Sequence, residues 1–238
     1  MTDGISDVPI RDDLLDAIAR AWSRLRRPGT WWTGEQRVDI AAESRVARAC
    51  RLCHDRKTAL RDISGEHDQT GKLPSAVVEL IHRIVTEPAR QSEGSYQATL
   101  GDGLSDAEYV EVVGTVVTVV AVDSFHHALG LPRKALPEPL PGEPSRRRPS
   151  SPRLEGAWVP MVAPDALDPE DADLYTGDRN GNVIRALSLV PEEVRGSIDL
   201  SKHFYIETLG DLTAGRSLTR PQIELIAARV SALNECFY

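Results

Sequence analysis

Apolar side chains recur every three to four residues along most of the chain, and Pro or Gly residues interrupt the pattern. This spacing places the apolar residues on one face of a helix. It predicts amphipathic helices over residues 12–27, 75–86, 182–189 and 191–209. The chain is therefore predicted to be all-α.

Three further helix starts carry a capping box, in which Ser or Thr is followed three residues later by Gln or Glu. The first helix should run from Thr33 through two cysteines towards Arg61. The last carries Pro221 in its first turn, where the missing N–H costs little. The three pairs are Thr33 with Gln36, Ser105 with Glu108, and Thr219 with Gln222.

The segment from Ser105 to Leu129 contains the run VVGTVVTVVAV. Because Val and Thr are β-branched, propensity alone favours a strand here. The capping box, the length of the segment and the Gly at position 130 favour a buried helix instead. We predict the helix.

Residues 131–153 differ from the rest of the chain in composition, since they hold seven of its sixteen prolines. Such a segment cannot form the interior of a helix and favours extended, semi-rigid structure. It predicts a linker between two parts, residues 1–130 and residues 154–238. The run RRR within it is interpreted as a solvated charge run rather than a binding patch.

Charge and cysteine content limit the class of protein. The chain has 238 residues, a net charge of −8 and three cysteines. A nucleic-acid binder normally presents a basic surface, so nucleic acid is not expected as a partner. The start, MTDGISDVPI, has no apolar core typical of a signal peptide, and the apolar run 112–122 is too short to span a bilayer. We expect a cytoplasmic protein with no membrane partner.

Two of the capped helices resemble each other. Aligning Thr33 with Thr219 also aligns Ile-Ala-Ala in both segments, and it aligns Cys50 with Cys236, each 17 residues after its Thr. The equal spacing to a rare residue indicates a tandem repeat of one helical module. The counterpart of Cys53 would then be residue 239, one position beyond the last residue of the chain.

The C-x-x-C of the first copy can support redox chemistry. On a continuous helix Cys50 and Cys53 lie one turn apart on one face, close enough for a disulfide. Only a thiolate reacts fast, and nearby positive charge favours it. Glu43 lies two turns before Cys50 on the same face and could orient a proton relay or simply pair with an Arg. The basic neighbours are Arg51, His54, Arg56 and Lys57.

Other interpretations of the cysteine pair stay open. Both residues could be ordinary core side chains, since free Cys is among the most buried residue types. A zinc site needs about four ligands, whereas Cys50, Cys53 and His54 supply at most three nearby. A thioredoxin-like site would need a βαβ pattern, which the preceding sequence does not show.

The segment IELIAARVSALNECFY resembles the core of the AhpD-like alkylhydroperoxidase and carboxymuconolactone decarboxylase superfamily. Glu224 stands twelve residues before Cys236, as the family's Glu stands before its C-x-x-C, and NVIRALSLVP resembles the preceding helix. AAESRVARACRLCHDRK, LSDAEYVEVVG and VDSFHHALG resemble a divergent first copy. The resemblance implies two all-helical modules joined by the Pro-rich linker, the second incomplete.

The resemblance also implies a function, a thiol-dependent hydroperoxide reductase without a cofactor. Cys53 would attack a hydroperoxide, Cys50 would resolve the product to a disulfide, and a dithiol reductant would restore the pair. The family tends to form trimers and larger assemblies, so a homo-oligomer is expected.

The first copy departs from the family's pattern. Val38 stands at the family's Glu position and Lys57 at its His position. Glu43 and Lys57 are the candidate substitutes, one as a relay and one as an electrostatic stabiliser. The other histidines considered are His54, His82, His126 and His127.

In the second copy Glu224 and Cys236 match the family, but the attacking position and the His are missing. One hypothesis is that the codon after Tyr238 is a UGA that encodes selenocysteine and was read as a stop codon when the gene was translated into this sequence. The alternative is a truncation.

Two other functions remain possible. One is a non-enzymatic helical interaction module with a redox-sensing C-x-x-C. The other is a decarboxylase-like enzyme, which the presence of the cysteines disfavours.

Overall fold

The computed structural model describes residues 9–59, 63–175, 180–205 and 217–234. Within these ranges the chain is mostly helical, which confirms the predicted fold class. The helices are α1 (Asp12–Leu25), α2 (Gly34–Ala47), α3 (Arg51–Thr58), α4 (Ser75–Thr86), α5 (Glu93–Gly101), α6 (Asp106–Ala128), α7 (Asn182–Arg185), α8 (Pro191–Phe204) and α9 (Arg220–Leu233). Two short strands, β1 (Pro152–Arg153) and β2 (Met161–Val162), pair antiparallel, and short 3-10 turns cover Pro88–Arg90, Pro164–Ala166 and Pro169–Asp171.

Helix α6 is the centre of the fold and packs against α2, α4 and α8. The VVGTVVTVVAV run lies within it, so the helix prediction is confirmed. Burial on several sides outweighs the modest helix penalty of β-branched residues. By length and composition α6 could also cross a membrane, but half of its most apolar window is buried inside this fold. We therefore interpret it as a core helix.

All three predicted capping boxes are present. A fourth, not predicted from the sequence, pairs Ser92 with Ser95 at the start of α5. The helix predicted over residues 182–189 covers only Asn182–Arg185. Leu189 is buried between this helix and α8, which begins at Pro191. Helix α8 ends at Phe204, before the predicted end at 209, and residues 206–216 lie outside the described ranges.

The Pro-rich segment 131–153 is extended, but it lies against the helices over much of its length. The backbone N–H of Leu140 donates to the Arg26 carbonyl at 2.7 Å, and Trp22 Nε1 donates to the Ala135 carbonyl at 2.8 Å. Arg148 in the basic run makes two hydrogen bonds to Asp106, at 2.6 and 2.7 Å. The run is thus paired with acidic residues rather than purely solvated. The segment is a strap along α1 and the turn that follows it.

Parts of the chain before and after the strap share one hydrophobic core. Val190 and Val194 belong to the same buried cluster as Ile40 and Val112. Helix α8 also packs directly against α1 and α6.

A buried charge cluster joins three helices of this core. Arg37 on α2 contacts Glu111 on α6, and it donates to Glu193 on α8 at 2.8 Å. The N–H of Trp31 donates to Glu111 at 2.6 Å. Burial raises the pKa of Glu111, and the nearby Glu193 adds to the increase while Arg37 opposes it. Because the three side chains are buried, removing Arg37 leaves both carboxyl groups without their cation, and Glu111 keeps the Trp31 N–H.

We therefore expect Arg37→Met to lower the free energy of unfolding by about 3–5 kcal/mol. The matched control is Arg11→Met, which removes only solvent-exposed contacts, with Asp13 and with the His203 carbonyl, and should cost far less. Urea denaturation of both variants measures the difference. Equal losses in the two variants would contradict a central role for the cluster.

Candidate functional site

The two cysteines lie at the start of α3, after a break in the helical path. Helix α2 ends at Ala47, and Cys50 is the N-cap of α3 in an extended conformation. The predicted uninterrupted helix from Thr33 towards Arg61 is therefore wrong. Neither Gly nor Pro marks the break. Instead the N–H groups of Ala49 and Cys50 bond to carbonyls three residues back, which closes α2 with a tight turn.

The break brings both thiols against two histidines. Cys53 Sγ lies 3.2 Å from His82 Nδ1 and 3.5 Å from His67 Nδ1, and Cys50 Sγ lies 3.5 Å from His67 Nδ1. The two imidazole rings are 4.1 Å apart between centroids. The two Sγ atoms and two histidine nitrogens all lie within 4.8 Å of one another. This thiol–imidazole cluster could act on a proton or hold a metal ion.

Each imidazole is held from its far side by a carboxylate. His82 on α4 donates from Nε2 to Glu43 of α2 at 2.9 Å, and Glu43 also accepts from the N–H and hydroxyl of Thr70, at 2.9 and 2.6 Å. His67, in the loop before α4, donates from Nε2 to Glu79 at 2.7 Å. Glu79 in turn pairs with Arg56 at 2.9 Å.

These contacts set the tautomer of both rings. A carboxylate only accepts hydrogen bonds, so Nε2 of His82 and of His67 carries the proton when the ring is neutral. The unprotonated Nδ1 atoms then point at the sulfurs. Each can accept a proton from a thiol or bind a metal.

Burial keeps Cys53 in its thiol form. It raises the pKa of Cys53 to about 12, and the adjacent Cys50 adds to the increase. Burial also lowers the pKa of His82 below its usual value, although Glu43 opposes that change. At neutral pH the contact is therefore between a thiol and a neutral imidazole. Cys53 becomes a thiolate only when its proton moves to a base or a metal replaces it.

Arg56 lowers the pKa of Cys53, as expected of a basic neighbour, but burial raises it by more. Arg51 pairs with Asp68 at 3.0 Å and Arg56 pairs with Glu79, so both charges are offset by acids. His54 and Lys57 are exposed to solvent.

A cavity of about 660 Å³ opens beside the cysteine pair. Its size would admit a small organic molecule. Lys57 lies in its wall. The other wall residues include Ala47, Arg48, Cys50, Cys53 and Thr86.

The remaining predicted residues lie elsewhere. Glu224 on α9 pairs with Arg220 at 2.5 Å and accepts from the Tyr205 hydroxyl at 2.9 Å. Cys236 lies outside the described residues. His126, near the end of α6, contacts the carbonyl of Pro132 at 2.7 Å. Of the predicted site residues, the structure brings together Cys50, Cys53 and, through His82, Glu43.

His67 and Glu79 were not predicted from the sequence, and His82 was considered only as one of several histidines. His67 lies in an irregular loop, where no helical spacing relates it to the cysteines. A search for any His within about 30 residues of the C-x-x-C returns His54, His67 and His82, so it finds both site histidines together with the exposed His54.

Comparison of the chain with family models, with curated proteins and with solved structures found no match in any of the three. The site must therefore be interpreted from its own geometry.

The tautomer assignment predicts an NMR result for the reduced, metal-free protein. Neutral His82 and His67 should be protonated at Nε2, because each donates to a carboxylate. His126 is the internal control, since its Nδ1 must be protonated to donate to the Pro132 carbonyl. Two-bond proton–nitrogen correlation spectra distinguish the two forms. Protonation of His82 at Nδ1 would contradict the assignment.

Proposed function

We propose that the Cys50–Cys53 pair is the reaction centre of a thiol-dependent hydroperoxide reductase. The observation that carries the proposal is a continuous hydrogen-bonded chain from Thr70 through Glu43 and His82 to Cys53. A base aligned on a nucleophile and oriented by a third group is the arrangement that activates a buried thiol. A second thiol, Cys50, lies beside it.

In the first step His82 Nδ1 accepts the proton of Cys53 while the sulfur attacks the terminal oxygen of a hydroperoxide. The O–O bond breaks, and the leaving alkoxide takes the proton from the imidazolium to give an alcohol. Cys53 is left as a sulfenic acid. Glu43 acts as a positioning residue, because it holds the ring and stabilises its charged form.

In the second step Cys50 attacks the sulfenic sulfur. The S–S bond forms as water leaves, with one of its protons coming from the Cys50 thiol. A dithiol reductant then returns both residues to thiols by thiol–disulfide exchange. Each cycle converts one hydroperoxide and one dithiol into one alcohol, one water and one disulfide. Free thiols are needed at the start, so we propose that the protein works in a reducing compartment such as the cytoplasm.

The choice of Cys53 as the attacking residue follows from its contacts. Cys53 lies beside both imidazoles, whereas Cys50 contacts His67 alone.

The acid and the base that the family resemblance requires are then supplied from other positions in the chain. Glu43 replaces the acid expected at Val38, and His82 replaces the base expected at Lys57. Lys57 keeps a role at the cavity wall, where its charge would stabilise the departing alkoxide.

The reaction predicts distinct products for two variants in a Cys236→Ser background. With Cys50→Ser, one equivalent of hydroperoxide should leave a sulfenic acid on Cys53 that a dimedone-type reagent traps. With both cysteines present, mass spectrometry should instead find a Cys50–Cys53 disulfide and two thiols lost per peroxide. Oxidation no faster than that of free cysteine would reject the proposal.

The role of His82 is tested separately. His82→Asn should slow oxidation of Cys53 by about 10²–10⁴-fold, since it removes the proton acceptor. The control His126→Asn changes a histidine that faces the Pro132 carbonyl and should leave the rate unchanged. An unchanged rate in His82→Asn would remove His82 from the mechanism, and circular dichroism confirms that the variant is folded.

A second candidate function is a redox-sensing interaction module. Helix α9 favours it, because four of its large apolar side chains are more than half exposed and could bind a partner or a second copy of the chain. The rate of peroxide turnover with a dithiol donor separates the two, since a sensor would be oxidised no faster than free cysteine. The four residues are Leu225, Ile226, Val230 and Leu233.

A further inference from the structure

We infer that Cys50, Cys53, His67 and His82 form a tetrahedral site for one zinc ion. The inference stands on the ligand set alone and does not require the proposed reaction. It uses two residues, His67 and His82, that sequence spacing did not place beside the cysteines.

The interatomic distances fit a single metal. A zinc ion about 2.3 Å from sulfur and about 2.1 Å from nitrogen, at tetrahedral angles, places sulfur and nitrogen about 3.6 Å apart. The sulfur–nitrogen contacts in the cluster are 3.2, 3.5 and 3.5 Å. All four ligand atoms are within 4.8 Å of one another, so no large movement is needed to surround an ion.

The chemistry of the donors points to zinc rather than calcium or magnesium. Two sulfurs and two imidazole nitrogens in tetrahedral arrangement are typical of zinc, whereas hard cations require oxygen ligands. Four protein ligands also fill the tetrahedron, which is characteristic of structural rather than catalytic zinc.

The surroundings already contain the outer contacts that metal-binding histidines need. A ligating His usually donates its other ring N–H to a carboxylate, which fixes the ring and its tautomer. Glu43 does this for His82, and Glu79 does it for His67. Two histidines that share this arrangement, both with Nδ1 in contact with Cys53 and one of them also with Cys50, are hard to explain as isolated core residues.

A metal at this position would join three separate segments. Cys50 and Cys53 belong to the start of α3, His82 to α4, and His67 to the irregular loop that precedes α4. The connection between the end of α3 at Thr58 and the start of α4 at Ser75 is long, and long loops in compact domains are uncommon without contacts that anchor them. The present anchors include the Thr70–Glu43 bonds and a Lys72–Asp39 pair at 2.8 Å. The ion would add a further anchor at His67.

Zinc and a disulfide cannot occupy the site together. Formation of the Cys50–Cys53 disulfide removes two of the four ligands, so oxidation must release the ion. This consequence rests on the proposed function. Per ion released, two thiolates lose two electrons to one hydroperoxide, which takes up two protons and yields an alcohol and water.

The test is a titration of the reduced, metal-free full chain, in a Cys236→Ser background, with Co²⁺ followed by Zn²⁺. One equivalent of Co²⁺ should give intense visible bands of tetrahedral cobalt and a near-ultraviolet thiolate-to-cobalt band, and Zn²⁺ should abolish both. Weak octahedral bands, or no thiolate band, would overturn the inference.

Two variants and one control locate the site. Glu79→Gln should weaken zinc binding by about 10–100-fold through the orientation of His67, without removing a ligand. His67→Ala should weaken it more. His54→Ala is the matched control, because His54 is exposed and next to Cys53, and it should leave the affinity unchanged. Loss of affinity in His54→Ala but not in His67→Ala would refute the assignment.

Peroxide consumption by the metal-free protein is measured in parallel. Metal binding without consumption would reject the proposed reaction and keep the zinc site. Peroxide consumption without metal binding would reject the zinc site and keep the proposed reaction.

Discussion

The hydrogen bond between Glu43 and His82 is the interaction on which the site depends. Both side chains are fully buried, and isolated charges or unpaired polar groups at such positions would be costly. Each is satisfied on its other side, Glu43 by Thr70 and His82 by Cys53. The pair therefore joins α2, the loop, α4 and α3 in one polar chain. Removing either member would leave the other without its partner in a dry environment.

Helix α2 lies in the core although few of its residues are apolar, because its buried polar side chains have partners on neighbouring helices. Near its start Arg37 contacts carboxyl groups of α6 and α8, and in its second half Glu43 contacts α4. Between them Ile40 and Ala41 pack against apolar neighbours. Buried polar groups with good partners limit how neighbouring helices can be arranged. The fold thus sets the position of the cysteines through paired charges as well as through apolar packing.

The sequence predicted the parts of this structure that depend on local chemistry. The capping boxes, helix α4 and the long helix α6 could be predicted because their signals lie in the element itself or within a few residues of its ends. These signals are the capping residues, the spacing of apolar residues and the length of the segment. The break before Cys50 could not be predicted in this way, because no Gly or Pro marks it and the contacts that redirect α3 come from α4. The role of His67 was hidden for a similar reason. A residue in an irregular loop has no periodicity, so only the fold brings it to the cysteines.

The paired carboxylates make the thiol–imidazole cluster suitable both for the proposed reaction and for the proposed zinc site. The carboxylates of Glu43 and Glu79 fix the rings so that an unprotonated nitrogen faces each sulfur, and a proton or a zinc ion can bind between them. Burial raises the pKa of Cys53 to about 12, so the thiol stays protonated and unreactive until something removes that proton. An imidazole does this transiently during a reaction, whereas a metal does it permanently by replacing the proton. On these two proposals, the occupant of the space between sulfur and nitrogen decides whether the pair acts as a reactive dithiol or as a closed structural site.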